Sequence, residues 1–260
     1  MTDMEKIPVV EMKNISKSFG AVRALIDVNL TLYKNEILGL VGDNSAGKST
    51  LMKILTGAYN SDEGEILFEG KPVRITNPRE SRELGIEMVY QDFALCGNLD
   101  IATNIYLGKW PTKKGWPMKW FVDVKSMEAE SWQILQKLKV DASSVKLKVE
   151  GLSGGRQQSV AIGRVISFDP KVIILDEPTA NLSVTATQQV LDLMLELKNT
   201  HDVSMIIISH RLQDIFAVGD RVMVLKRGHK VGERIIQATH EQDVLSMIVQ
   251  GDAYERSRKD

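Results

Sequence analysis

Apolar and polar residues alternate along residues 9–15 and again along 24–32, where Leu25, Val28, Leu30 and Leu32 fall among polar neighbours. That period predicts two half-buried strands. Residues 37–41 break the alternation with the unbroken run Ile-Leu-Gly-Leu-Val, the pattern of a strand buried on both faces. A strand over 64–68 ends in a Glu69-Gly70 turn. Asn77-Pro78 opens a short helix that stops near Gly85, and residues 86–90 form another strand. Beyond residue 150 the pattern gives a helix from Ser153, a strand at 172–175, a helix across 184–198 and a strand at 203–209. A helix to Ala217, strands at 221–226 and 230–233, and a helix from His240 toward Val249 follow. Strands and helices in turn around buried runs predict a mainly parallel α/β core.

Between these halves the character changes. Residues 92–150 hold all four tryptophans, Trp110, Trp116, Trp120 and Trp132, and a Pro/Gly/Lys-rich loop at 111–117. Asp123 is placed as the N-cap of a helix that carries Met127, Ile134, Leu135 and Leu138 on one stripe. The segment reads as a helical insert without a strand, its tryptophans mostly packed, with some of them and the Lys113-Lys114 loop as the alternative candidates for facing a partner. The chain thus divides into residues 1–91, the first part of the core; 92–150, the insert; 151–250, the second part of the core; and a polar tail, 251–260.

The buried run at 37–41 feeds directly into Gly42-Asp43-Asn44-Ser45-Ala46-Gly47-Lys48-Ser49-Thr50, and a helical pattern (Thr50, Leu51, Ile54, Leu55) follows. A strand, a tight glycine turn and a helix N-terminus aim backbone N–H groups at one point, where the helix carries about half a positive charge. The spacing fits a phosphate-binding loop, with Lys48 reaching the β- and γ-phosphates and the Ser49 hydroxyl ligating Mg²⁺. Residues 172–177, Val-Ile-Ile-Leu-Asp-Glu, are an apolar strand ending in two acids. Beside a bound Mg²⁺–phosphate, Asp176 would hold the metal and Glu177 would polarise the attacking water. The bland reading is a solvated strand end before the Pro178 turn. Ser153-Gly154-Gly155-Arg156 opens another helix whose glycines leave its N–H groups unscreened, an anion site by its physics or else a plain capped helix.

Composition narrows the class. A net charge of −1 advertises no surface for nucleic acid. The single cysteine, Cys96, excludes an intrachain disulfide and fits a reducing compartment. The N-terminal residues lack an apolar signal core, and the longest apolar runs fall far short of the ~20 residues of a membrane span. A protein of this kind is expected to be soluble and, if it works at a membrane, to be docked there.

In this order the motifs resemble those of the ATP-binding cassette ATPases, the motor subunits of ABC transporters, over about residues 7–250. The resemblance rests on the phosphate loop, the Leu152-Ser153-Gly154-Gly155 signature, Asp176-Glu177-Pro178-Thr179, Ser209-His210, Gln91 within Val89-Tyr90-Gln91-Asp92, and Phe19. It implies a P-loop NTPase core with an N-terminal antiparallel β subdomain and a helical insert subdomain. It also implies ATP and Mg²⁺ as cofactors, and two copies packed head to tail around two ATPs. Each ATP would lie between one copy's phosphate loop and the other's Ser153–Arg156. Phe19 would stack on adenine, His210 would contact the γ-phosphate, and Gln91 would sense Mg²⁺ and the membrane partner. Residues 42–53, 89–92, 98–100, 104–108 and 177–182 are most similar to cassettes of bacterial monosaccharide importers of the ribose, xylose or fructose type. Such a subunit sits in the cytoplasm on the inner face of the membrane, bound to permease subunits, with an extracytoplasmic binding protein delivering the solute. The rival readings are an importer of another solute, such as an amino acid, and a soluble relative acting on DNA or ribosomes. Four positions depart from the family's usual pattern: Ser45 for Gly, Arg156 for Gln, Gly163-Arg164 for Ala-Arg, and Ser183 for the Asp that normally ends the D-loop.

Overall fold

Two long strands, β1 (Pro8–Phe19) and β2 (Val22–Tyr33), pair antiparallel at the start of the chain. Leu25, Val28, Leu30 and Leu32 are all buried. The three-residue step from Leu25 to Val28 breaks the strand period, and a bulge absorbs it: Asp27 adopts φ 50° and the register shifts beside it. β4 (Glu63–Phe68) pairs with β1, and β5 (Lys71–Val73) with β4, giving a four-stranded antiparallel sheet, β2-β1-β4-β5. β5 has no signal in the hydrophobic pattern, being a three-residue Lys-Pro-Val segment on an edge. The computed structural model describes residues 7–90, 94–113, 115, 120–138, 140 and 142–251.

The second sheet has the order β10-β9-β3-β8-β7-β6. β6 (Ile86–Val89), β7 (Val172–Asp176), β8 (Ser204–Ile208), β3 (Ile37–Val41) and β9 (Arg221–Lys226) run parallel, and β10 (His229–Ile235) returns antiparallel at the edge. The mainly parallel core expected from the pattern is present. β3 is buried along its whole length, and its residues part between two cores. Leu38 and Leu40 join the cluster shared with the antiparallel sheet and α1 (Lys48–Leu55). Ile37 and Val41 join a second cluster with α5 (Gly154–Ile166), α6 (Val184–His201), α7 (Leu212–Val218) and α8 (Glu241–Gln250). α2 (Pro78–Glu83) leads into β6, capped by the Asn77 side chain as its sequence implies.

The insert contains α3 (Ile101–Ile105) and α4 (Val124–Lys137), the latter N-capped by Asp123 as expected. Among the described residues it has no strand, only isolated bridges at Asp100–Lys148 and Thr112–Val122. Its core gathers Ile101, Ile105, Met127, Leu135 and Val149, and it takes in Val160 of α5. The expectation that the tryptophans pack is overturned. Trp110, Trp120 and Trp132 are 43%, 78% and 38% exposed, and Trp116 lies outside the described residues. Trp110 and Trp120 lie outside α3 and α4, beside the backbone bonds from Lys113 N–H to Phe121 O and from Asp123 N–H to Pro111 O, so no stripe of these helices buries them. The tail expected at 251–260 is described only at Gly251.

Candidate active site at the phosphate loop

β3 delivers the chain to Gly42 at the carboxyl end of the parallel sheet, where open α/β folds place their ligands. Gly42 has φ 144°, and a Cβ there would lie 2.0 Å from the Leu225 carbonyl oxygen, so the turn tolerates no other residue. The loop then closes on itself: Ala46 N–H donates to Asp43 O at 3.1 Å, and Leu51 N–H to Gly47 O opens α1. The two-residue turn of the β9–β10 hairpin, Arg227-Gly228, buttresses it from outside. Gly228 N–H donates to Ala46 O at 3.0 Å, and Ile26 N–H to Gly228 O at 2.8 Å. The sequence places a turn there but gives no sign of its long-range contact.

Lys48 is buried, and its ammonium donates to the carbonyls of Gly42 at 2.7 Å and Asp43 at 2.9 Å. Asn44 through Thr50, with Asp176, Glu177, Ile208 and His210, line a cleft of about 250 Å³. Ser45, Ala46, Gly47, Ser49 and Thr50 thus reach the cleft, while Gly42 and Asp43 act through Lys48. Ser45 takes φ 66°, a left-handed conformation that glycine adopts freely. Its departure from the usual glycine therefore costs backbone strain rather than space. That strain of about 1–2 kcal/mol exceeds the roughly 0.4–1 kcal/mol by which a glycine loosens the unfolded chain. Ser45→Gly is expected to stabilise the chain by up to about 1 kcal/mol, measured as a raised urea midpoint at constant slope.

β7 and β8 bring the acids and the histidine to the same edge. Burial pushes the Asp176 carboxyl up, and Lys48, Lys53 and a hydrogen bond with Ser49 hold it partly down. Burial likewise raises Glu177, against the opposing pull of His210. Lys48 is lowered by burial, although Glu177, Asp176 and Asp43 draw the other way. Glu177 has φ 51°, its N–H donates to Ile208 O at 2.9 Å, and its side chain meets His210 twice. His210 Nε2 lies 3.2 Å from Oε1, and the His210 backbone N–H is 3.4 Å from Oε2. Oε1 is buried, and its approach to Nε2 is at ion-pair distance without hydrogen-bond geometry, so this oxygen keeps accepting capacity.

Phe19 is not part of the cleft wall. It stands 44% exposed at the end of β1, so the core does not take it in. Its ring meets Tyr59 edge-on, with centroids 5.2 Å apart, and Lys17 lies 5.5 Å above it. Tyr59 was not singled out from the sequence, where it stands as a lone aromatic after α1. Base–aromatic stacking is worth about 1–3 kcal/mol. Phe19→Ala is expected to weaken ATP binding by about 5-fold to 100-fold and leave inorganic phosphate binding unchanged, as read by titration. An unmoved ATP affinity would remove Phe19 from the site.

Ser153 occupies the N-cap position of α5, but its exposed hydroxyl makes no capping bond. Gly154 is also exposed, and a Cβ on Gly155 would lie 2.8 Å from Ala186 Cβ, so Gly155 lets α5 and α6 approach. None of Ser153, Gly154, Gly155 or Arg156 lines the cleft. Ser183 caps α6 through Ala186 N–H at 3.3 Å, turning its side chain to its own helix. Gly163 brings α5 against Ile134 and Leu138 of the insert, and Arg164 donates to Asn104 O and Ala94 O. Gln91 lies outside the described residues.

Residues 25–180 match the model of a protein family described as ABC transporter. The chain is 40% identical over 240 residues to the xylose/arabinose import ATP-binding protein of Sulfolobus acidocaldarius, covering 92% of this chain and 93% of that protein. It is 39% identical over 246 residues to the ribose import ATP-binding protein of Yersinia pestis, covering 95% of this chain but 47% of that longer protein. Its backbone is similar, with a TM-score of 0.78, to the ADP conformation of an ATP-binding cassette of an ABC transporter. That match is 26% identical and covers 95% of this chain and 98% of the other.

Proposed function

The chain belongs to the ABC transporter family as one of its ATPases, and from that premise we propose that it powers import of a monosaccharide. It does so as a pair of copies docked on permease subunits at the inner face of the membrane, fed by an extracytoplasmic binding protein. The observation that carries the reading is the convergence of Lys48, Ser49, Asp176, Glu177 and His210 on one cleft at the phosphate loop. Two sugar-import relatives at about 40% identity support the cargo class. No helix among the described residues is long and apolar enough to cross a membrane.

The chemistry follows from the side chains. The N–H groups of residues 44–50 and the Lys48 ammonium hold the phosphates in place. Ser49 and Asp176, which line the same cleft, are hard oxygen donors suited to Mg²⁺. Mg²⁺, when bound, neutralises charge on the β- and γ-phosphates. Glu177, raised by burial, is a stronger base than an ordinary glutamate and orients the attacking water through Oε1. His210 fixes that carboxylate and faces the γ-phosphate. Ser153–Arg156 lie apart from this cleft, so the second copy's α5 supplies the opposite wall, with its uncommitted Ser153 hydroxyl and helix N-terminus.

The insert is the docking side. Trp120 and Phe121 are 78% and 61% exposed in a segment without a catalytic residue. Trp120→Glu and Phe121→Glu are expected to abolish co-purification with the permease and uptake of labelled pentose while ATP binding by the isolated subunit is kept. Permease binding that survives both changes would remove the docking assignment. Uptake of amino acids in place of sugars would remove the cargo assignment.

A further inference from the structure

Thr179 and Asp214 take no part in the chemistry above, yet both are buried, at 1% and 4% exposure. The Thr179 hydroxyl donates to Asp214 Oδ2 at 2.5 Å, the short range of a bond to a carboxylate. Thr179 lies two residues beyond Glu177, inside a turn closed by Ala180 N–H to Glu177 O and Leu182 N–H to Thr179 O. Asp214 lies on the first turn of α7, four residues beyond His210. Its N–H donates to Arg211 O, and Arg211 Nε is 3.6 Å from Oδ2. Besides the backbone bond from Glu177 N–H to Ile208 O, the two segments therefore meet through side chains at two places: at Glu177–His210 facing the cleft, and at Thr179–Asp214 in the interior.

The two contacts differ in what holds them. The His210 side chain is 50% exposed, and its grip on Glu177 is at 3.2–3.4 Å. Glu177 itself sits in a left-handed conformation, which persists only where the surroundings over-determine it. The interior bond is buried, charge-assisted and unable to exchange with water. We propose that Thr179 and Asp214 are positioning residues for hydrolysis: their clasp sets the register of the Glu177 turn against the first turn of α7, and so keeps His210 on Glu177. This rests on the reading of Glu177 and His210 given above.

The test uses the full chain. Thr179→Val removes the donor at constant shape, and Thr179→Ser keeps it. Thr179→Val/Asp214→Leu replaces the whole pair by apolar groups and keeps a folded variant available should the single change unfold. Steady-state ATP hydrolysis, binding of a fluorescent ATP analogue and thermal melting are measured on each. Both clasp-free variants are expected to lose about tenfold or more in kcat, with KM and nucleotide affinity within about twofold. Thr179→Ser is expected to restore kcat. In a His210→Ala background, single-turnover hydrolysis should show no further loss from Thr179→Val, because residues acting through one another are not additive. A wild-type kcat in a folded clasp-free variant overturns the proposal, as does a full additional loss in the His210→Ala background. If instead Glu177→Gln and His210→Ala themselves hydrolyse at the wild-type rate, the site assignment fails rather than the clasp.

Discussion

Lys48→Ala is expected to lose ATP hydrolysis by at least about a hundredfold, the usual cost of removing one preorganised donor from a developing charge. Nucleotide affinity should fall with it, by about 10-fold to 100-fold, because a hydrogen bond from a charged group contributes about 1.5–3 kcal/mol. The Lys48 ammonium bridges the carbonyls of Gly42 and Asp43, so its removal also unpins the loop that presents the N–H groups. It further removes a cation that holds the Asp176 and Glu177 carboxyls down, so both rise further and the cleft meets ATP with two poorly compensated acids. Filter binding and phosphate release on the same preparation check both effects. Unchanged turnover would end the phosphate-loop assignment.

Glu177→Gln keeps the shape of the side chain and leaves Asp176 and Ser49 in place, but removes the carboxylate that orients water. Hydrolysis should drop by about 10²–10⁴-fold, and ATP should trap a two-copy species on size exclusion where wild type is mainly monomeric without nucleotide. Normal hydrolysis with no such species would refute the two-site sandwich. The same substitution has a stability signature of known sign. Glu177 titrates above its ordinary range in the folded chain, so between the unfolded and folded values the folded state binds more protons. Stability is therefore full below the ordinary carboxylate range and declines as pH rises through the raised folded value. Removing that carboxylate removes the decline. Without nucleotide, Glu177→Gln should melt above wild type near neutral pH, the gap closing toward pH ~4.

The cleft-lining half of the candidate site was legible because its signals are local. A buried run into Gly42–Ser49 and another into Asp176-Glu177 each encode strand, turn and chemistry within ten residues, and the strand ends then bring them together. What stayed hidden depends on distant contacts. β5 exists because β4 offers it an edge, and the Lys-Pro-Val segment carries no period of its own. The bulge at Asp27 registers only as an odd spacing between Leu25 and Val28. Tyr59 matters through Phe19, forty residues earlier, and Gly228 through Ala46. The tryptophans misled because large apolar area argues for burial, whereas three of them stand on a surface. Ser153 has the identity of a cap without the bond. Ser183, which stands where the family's D-loop usually ends in Asp, has such a bond to its own helix.

α5 belongs to two cores at once: Val160 closes the insert's cluster, while Ala161, Ile162 and Val165 belong to the cluster on the parallel sheet. The insert therefore has no complete interior of its own, and one of its walls is on loan from the motor. Cut away at residue 150 it would expose that wall, so the chain is expected to unfold as one cooperative unit. With the docking and pairing proposed above, the same sharing would make α5 an axle: a load on the insert's outer face would turn the helix whose first residues are proposed to close on the neighbouring copy's nucleotide, and grip on ATP would become a readout of what the permease is doing.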